Sequence, residues 1–276
     1  MFLIRVKAHW RHRAYGRHIA RLAGRDPTAS QIRPHRKGAT MTVLTSSLLS
    51  DLVTEDLRRA SVLEAYGLEY CCGGQRSLFE AATARGLDAQ LVARALELPG
   101  ESAPLRVTSA DLAGLAHDIV DTHHAYLWEE LPRLQVLVAT VVSAHAERHP
   151  ELKRILAVYD RLVADLDVHL TREERIVFPA IAQLERTQTP VRMRGTSFVD
   201  AVQRLTDEHD IIGDLVGQLR RITGGYTTPD DGCSSYAAMM LRLHVLETDL
   251  HLHVHKEGNI LLPRALELHY RVGGLR

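Results

Sequence analysis

One polar pattern occurs twice in the C-terminal two thirds of the chain and restricts the fold more than any other feature. It runs Asp, His, Glu, Pro with identical spacing, as Asp165, His169, Glu173 and Pro179 and again as Asp249, His253, Glu257 and Pro263. The residues just before each proline are apolar in both copies. Side chains four residues apart lie on one face of an α-helix, so each copy presents an imidazole and a carboxylate together. The pattern therefore predicts two copies of a helix pair.

Four long amphipathic segments surround this repeat and favour an up-down-up-down four-helix bundle. Their predicted ranges are 109–142, 150–186, 197–222 and 233–258, with a short helix from 264. Thr108 with Asp111 and Ser197 with Asp200 have the spacing of helix starts. Leu, Ala, Glu and Arg are abundant while aromatic residues make up 5% of the chain, so we expect an all-α protein.

The face that carries the repeated histidines and glutamates is otherwise apolar, because leucine and isoleucine flank them at helical spacing. The other two helices each add an imidazole, from His209 and from one of the neighbours His123 and His124. Burying two carboxylates and four imidazoles among leucines is unfavourable unless positive charge balances them. Two metal ions meet this need if each takes two histidines and the glutamates bridge. Imidazole and carboxylate ligands without thiolate suit iron, with manganese or zinc as alternatives.

Three carboxylates lie beside these predicted ligands. Asp165 and Asp249 are one turn before the repeated histidines, and Glu208 directly precedes His209. We interpret them as acceptors for imidazole N–H groups, with an entry path as the alternative for the two aspartates. One bridging oxygen between the ions would make each five-coordinate and leave one position per ion open to a small ligand.

Other polar side chains on the predicted bundle have a surface interpretation. Glu247, His251 and His255 also stack on one helix face, but that face is polar, which predicts solvated surface. The histidines near the first bundle joint are assigned to the surface too, with an access path as the alternative: His117, His145 and His149.

A smaller helical domain is predicted before the bundle, over residues 44–98. Its helices are expected at 47–66, 77–85 and 88–97, and Ser77 with Glu80 forms a capping box. Residues 99–107 contain two prolines and a glycine and predict a linker, so the bundle domain is placed at 108–268.

Residues 1–43 form a basic extension, since residues 1–40 hold ten Lys or Arg and one acidic residue, Asp26. The segment shows neither the apolar region of a signal peptide nor a helical stripe. We expect a disordered extension or a start codon placed ahead of Met41. An arm that touches nucleic acid or another acidic surface is the disfavoured alternative.

The three cysteines predict a reducing compartment, the cytoplasm. Cys71 and Cys72 are adjacent and Cys233 stands in a loop of Gly, Ser and Asp, so the count is odd. Cys233 is interpreted as incidental. The chain has no run of 18 apolar residues, so we predict no membrane span and no membrane partner.

Several motifs together resemble the YtfE/ScdA family of di-iron "repair of iron centres" proteins, over roughly residues 44–268. The segment Glu69-Tyr70-Cys71-Cys72-Gly73-Gly74 is similar to the family's N-terminal module, and the bundle segments THHAYLWEELP, HLTREERIVFP, DEHD and HVHKEGNILLP resemble its hemerythrin-like domain. The resemblance implies that the iron ligands are His124, His169, Glu173, His209, His253 and Glu257, with bridging glutamates. Registration on Pro132 selects His124 over His123. The chain departs from the family at Leu262, where Phe is common, and in its basic front.

The resemblance further implies a cytoplasmic protein that restores iron–sulfur clusters damaged by nitric oxide or oxidants, by delivering iron to damaged iron–sulfur proteins. It is expected to be an iron donor more than a turnover enzyme, and a homodimer stays open. Cys71 and Cys72 could ligate iron, bind nitric oxide or enter mixed disulfides, whereas a buried pair before a turn is the plainer interpretation. The alternatives are a protein that binds or senses oxygen or nitric oxide, and a di-iron redox enzyme acting on peroxide or nitric oxide. A ferritin-like oxidase is disfavoured because the chain has no Glu-x-x-His.

Overall fold

The computed structural model describes residues 43–71, 73–105 and 111–274, and over these residues the chain is all-α, as predicted. An isolated bridge between Leu48 and Ser77 is the one β-type pairing in those ranges. The predicted basic extension lies outside the described residues except for Val43, and so do Thr108 and Cys72. Within the described part, no helix combines the length and apolar character needed to cross a membrane.

Four short helices form the N-terminal module, which we define as residues 43–105. They are α1 (Leu49–Glu55), α2 (Arg59–Ala65), α3 (Leu78–Ala84) and α4 (Ala89–Ala95). The single predicted helix at 47–66 is wrong, because the backbone turns extended at Asp56 (φ −154°, ψ 102°). The Asp56 carboxylate accepts hydrogen bonds from the backbone N–H groups of Arg58 and Ala103, an alternative to helical bonding. The capping box of Ser77 and Glu80 is confirmed at the start of α3.

Four long helices follow and form the bundle, three of them interrupted by one π-helical turn. They are α5 (Leu112–Ile119, π turn Val120–His124, Ala125–His145), α6 (Leu152–Arg172, π turn Glu173–Val177, Phe178–Thr187), α7 (Phe198–Ile222) and α8 (Ser234–Lys256, π turn Glu257–Leu261, Leu262–Gly273). Each helix contacts the next along the chain and α8 returns to α5, which closes the ring of an up-down-up-down bundle.

The fourth bundle helix differs from its prediction. A helix at 233–258 and a separate short helix from 264 were expected, but α8 continues without a break to Gly273. Pro263 lacks the N–H that a regular α-helix uses, and the π turn just before it changes the hydrogen-bonding pattern locally, so the helix is not ended. Pro179 follows the π turn of α6 in the same way.

Two separate apolar clusters fill the bundle. One packs around Leu134, Leu162 and Leu246, and the other around Ile181 and Leu261. The predicted metal ligands lie on α5 to α8 between the stretches that supply these two clusters. The bundle thus carries one buried polar layer between two apolar layers.

The N-terminal module has its own core, around Leu63, Leu78 and Val92, and it packs against α8. Leu252 of α8 packs against that core. The Asn259 side chain of α8 donates hydrogen bonds to two backbone carbonyl groups of the module, 2.8 Å to Cys71 and 3.2 Å to Tyr70. The face of α8 that was predicted to be solvated is therefore covered.

Candidate metal centre

The π turns of the bundle coincide with predicted ligands. His124 closes the π turn of α5, Glu173 opens that of α6, and Glu257 opens that of α8. A π turn widens the helix locally and is frequent at functional sites, because it re-aims side chains that a regular helix would point elsewhere. His209 lies on α7, which is regular throughout.

Six side chains converge in the polar layer, and they form two groups. One contains His124 and His253, the other His169 and His209, and both contain Glu173 and Glu257. The possible ligand atoms of each group lie within 4.8 Å of one another. Every one of the six side chains is buried, with at most 3% of the residue surface exposed.

Each glutamate spans the two groups with its two oxygens. Oε1 of Glu257 lies 2.9 Å from Nε2 of His253, while Oε2 lies 3.0 Å from Nε2 of His209. Glu173 repeats the arrangement, with Oε1 3.2 Å from Nε2 of His169 and Oε2 3.4 Å from Nε2 of His124. A carboxylate in this position can bind one cation through each oxygen, so the geometry fits two ions with two bridging glutamates.

The polar layer contains more acceptors than its hydrogen bonds satisfy. Both carboxylate oxygens of Glu173, Oε2 of Glu257 and Nε2 of His169 are buried with no hydrogen-bond partner among the described residues. Leaving such atoms unsatisfied is unfavourable by roughly 1–3 kcal/mol each, and more for charged groups. Cations among these atoms would remove that penalty, so the residues present fit a metal pair.

Electrostatics in the layer favours ionised carboxylates. Burial and the charge of Glu257 raise the pKa of Glu173, but the imidazoles of His169 and His124 outweigh both and lower it. Burial likewise opposes ionisation of Glu257, yet the surrounding imidazoles hold its pKa well below the usual range. Two buried negative charges therefore persist at neutral pH and call for a positive counterpart.

The same carboxylates make the imidazoles strongly basic. Burial lowers the pKa of His124, but the nearby carboxylates of Glu173, Glu174 and Glu257 raise it to about 11. Burial lowers the pKa of His209 too, and Glu173 with Glu257 raises it to about 10. Protons and cations thus compete for one set of atoms.

Two carboxylates outside the layer contact the far nitrogens of two of the converging histidines. Oε2 of Glu208 lies 3.0 Å from Nδ1 of His169, and Oε1 of Glu174 lies 2.9 Å from Nδ1 of His124. The Trp128 indole N–H also donates to Glu174, at 2.8 Å. A carboxylate at Nδ1 fixes the proton there and leaves the Nε2 lone pair facing the layer.

Sequence reasoning placed Glu208 beside the ligands and missed Glu174. Glu174 follows Glu173 in the run Arg-Glu-Glu-Arg, and neither the repeat nor the spacing of four marks it. Glu174 lies in the π turn that starts at Glu173. A projection that assumes a regular α-helix does not reproduce its position beside His124.

The two predicted aspartate acceptors have other partners. The Asp165 carboxylate accepts from Arg161 Nε at 2.7 Å on the outside of α6. Asp249 is fully buried, but its carboxylate lies 2.9 Å from Nδ1 of His123. The His123 ring stacks on His253 at 5.6 Å between centroids, so of the two neighbours His124 enters the ligand groups and His123 does not.

The rival face of α8 is buried, contrary to the prediction of solvated surface. Glu247 is 3% exposed and His255 is fully buried. His255 Nε2 lies 3.2 Å from Oγ1 of Thr54, and Nδ1 of His251 lies 3.2 Å from Glu64, both in the N-terminal module. The two histidines therefore form polar contacts between the bundle and the N-terminal module.

Comparison with known proteins agrees with this geometry. The profile of the hemerythrin HHE cation binding domain matches residues 115–265, more than half of the chain. The chain belongs to this hemerythrin family. The hemerythrin domain contains all six converging residues, so the family's cation-binding description applies to the part of the chain where they lie. Residues 45–99 match the ScdA_N domain, described as a domain of unknown function.

Curated relatives combine both parts. The iron-sulfur cluster repair protein ScdA of Staphylococcus haemolyticus is 29% identical over 80% of this chain and 99% of its own length. The iron-sulfur cluster repair protein YtfE of Escherichia coli O157:H7 is 29% identical over 79% of this chain and 96% of its own length. YtfE of Shigella boydii matches to the same extent. The similarity to the YtfE/ScdA proteins expected from the motifs is confirmed, and the hemerythrin chain aligns with nearly the full length of these relatives.

Proposed function

We propose that the hemerythrin domain holds two non-haem iron ions and that the protein supplies iron for the repair of damaged iron–sulfur clusters in the cytoplasm. One ion would lie among His124, His253 and the two glutamates, the other among His169, His209 and the same glutamates. The observation that carries this proposal is the pair of buried carboxylates, each with one oxygen in each ligand group. Iron fits because the donor set is imidazole and carboxylate without thiolate.

The repair role rests on two supports. The relatives aligned over nearly their full length carry the name of iron–sulfur cluster repair proteins. The centre itself is connected to the module that these relatives share, because Asn259 lies in the π turn opened by Glu257 and donates to the Cys71 carbonyl. A client protein that engages the cysteine segment would thus contact the structure that holds a bridging ligand.

In this proposal iron is the cargo, and the protein's own residues govern its retention. Glu208 and Glu174 keep two imidazoles aimed at the layer, and the two apolar clusters exclude water from it. Cys71 is buried, with 8% of its surface exposed. We assign Cys71 and Cys72 to docking or transfer of iron toward a client, since adjacent thiolates are good ligands for iron in transit.

The test is repair in vitro with a nitrosylated iron–sulfur enzyme as client. Iron-loaded protein is expected to restore client activity faster than the same amount of free ferrous iron. Glu257→Gln should lose bound iron and repair together, because the amide cannot bridge two cations as a carboxylate does. Asp165→Asn is the matched control, since it changes a carboxylate of the same repeat that lies on Arg161 outside the layer.

Equal restoration by iron-loaded protein and free ferrous iron would reject the repair function. If the protein then bound oxygen or nitric oxide reversibly, and Cys71→Ala with Cys72→Ala left that binding unchanged, a carrier or sensor would replace it. Metal analysis that finds zinc in place of iron would reject the iron assignment separately.

A further inference from the structure

A second group of reactive side chains lies at the far end of α5 from the metal centre. His145 is buried, with 7% of its surface exposed, and its Nε2 lies 3.1 Å from Sγ of Cys233. Cys233 itself is exposed. Since an α-helix rises ~1.5 Å per residue, this pair is about 30 Å from His124 along α5. The sequence interpretation of His145 as surface and of Cys233 as incidental does not account for this contact.

The acidic side chains near His145 have other basic partners. His149 Nε2 lies 2.9 Å from Asp231, and its Nδ1 lies 3.2 Å from Glu151. Arg148 also pairs with Asp231, at 3.4 Å. The His145 ring packs edge-on against Tyr236, and its Nδ1 has no hydrogen-bond partner among the described residues. The acidic groups around the pair therefore contact His149 and Arg148, and the thiol contacts the Nε2 atom of His145.

The thiol lies at the start of a long helix. Cys233 directly precedes the first residue of α8, a helix whose first uninterrupted segment has 23 residues, and its side chain caps no backbone N–H. The N-terminus of a helix carries a partial positive charge, and a nearby imidazolium adds to it. The Cys233 thiol thus lies beside a helix N-terminus and within hydrogen-bond distance of a buried imidazole.

We propose that Cys233 and His145 form a reactive thiol pair that undergoes exchange with low-molecular-weight disulfides, of which glutathione disulfide is the representative. His145 Nε2 takes the thiol proton, and the Cys233 thiolate attacks one sulfur of the disulfide. The sulfur–sulfur bond of the reagent breaks as the Cys233 mixed disulfide forms, and the departing thiolate takes the proton back from His145. The reagent is the two-electron oxidant, so one protein thiol and one disulfide give one mixed disulfide and one free thiol.

The experiment follows the mixed disulfide at Cys233 by peptide mass mapping of the full-length protein in glutathione disulfide, which separates Cys233 from Cys71 and Cys72. At pH 6.5 an ordinary thiol is only about 1% thiolate. If His145 takes the Cys233 proton, Cys233 should react about tenfold faster than an ordinary cysteine thiol at this pH. His145→Gln should remove this advantage, because an amide can neither take nor return the proton. His149→Gln, which changes the neighbouring histidine that lies on Asp231, should leave the rate within about twofold.

A second measurement needs no variant and protects the test against misfolding of His145→Gln. A synthetic peptide of residues 228–238 contains Cys233 without His145 and without the folded helix. Native Cys233 should react faster than this more accessible peptide at pH 6.5, and the difference should shrink as the pH approaches 8.5. A native rate equal to or below that of the peptide, or one that His145→Gln leaves unchanged in a folded protein, would overturn the proposal.

Discussion

At the scale of single residues, Glu208 should control how tightly the centre binds metal. Its carboxylate accepts the Nδ1 proton of His169 and also pairs with Arg172, which fixes the ring and makes Nε2 a better donor to a cation. Glu208→Gln is expected to weaken metal affinity by about 10–100-fold. Asp165→Asn should leave it unchanged, because Asp165 lies on Arg161. Competition with a chromophoric chelator measures both, and equal affinities for wild type and Glu208→Gln would contradict the role of this carboxylate.

The six converging side chains could be predicted from the sequence, whereas the carboxylates that contact their histidines could be predicted only in part. The repeated pattern identified the histidines and glutamates of α6 and α8, because residues four apart lie on the same face of a helix. The choice between His123 and His124 could not be made from helical periodicity, since adjacent residues differ by about 100° and the π turn of α5 shifts that angle again. Asp249 and Glu174 depended on the same local geometry, and their partners emerged only from the packed helices.

At the scale of elements, capping residues and periodicity predicted where helices lie. They did not predict where one helix breaks or continues into the next. Ser197 and Asp200 mark the start of α7 as predicted. Proline and glycine suggested a break near 258–263 that the π turn of α8 avoids. In the N-terminal module the opposite occurred, since the carboxylate of Asp56 separates α1 from α2 within an uninterrupted helical pattern. Both differences arise from hydrogen bonds that propensity does not describe.

Asp56 should therefore be a stability determinant of the module. Its carboxylate is buried and bonded to two backbone N–H groups and the Arg58 guanidinium. Burial raises its pKa, but these bonds outweigh burial and lower it. Asp56→Ala is expected to reduce the free energy of unfolding by about 1–3 kcal/mol in urea titrations at pH 7. Since the folded pKa is lowered, this contribution is present above the unfolded pKa near 3.9 and disappears as pH falls through the folded value.

The control for Asp56 is Glu69→Ala in the same module. Glu69 is 69% exposed at its side chain and lies 3.9 Å from Arg85, so its ion pair should contribute about 0–1 kcal/mol. A loss at Glu69 as large as that at Asp56, or a loss at Asp56 that does not shrink as the pH falls below the unfolded pKa near 3.9, would show that the buried carboxylate is not responsible.

At the scale of the whole molecule, proton release should accompany metal loading. The polar layer connects all four bundle helices, and in the absence of metal its carboxylates hold the pKa of His124 at about 11 and that of His209 at about 10. Both imidazoles are then protonated at pH 7, and the pKa of His169 is raised as well. A histidine that binds a cation must be neutral, so loading should release at least two protons per chain. His255, whose pKa burial lowers to about 4, is neutral in both states and contributes none. Anaerobic calorimetric titration with ferrous iron in two buffers of different ionisation enthalpy counts the protons.

The same linkage makes the stability of the whole chain depend on metal and pH together. The raised pKa values stabilise the metal-free fold fully below the unfolded value of about 6.5, and this stabilisation fades as pH rises toward 10 to 11. Release of at least two protons raises metal affinity by about 100-fold or more per pH unit, and bound metal stabilises the fold in proportion to the logarithm of that affinity. The gap in thermal midpoint between iron-loaded and chelated protein should therefore widen from pH 6 to pH 8. A gap that stays constant or narrows over this range would mean that protons and cations do not compete for the six buried side chains.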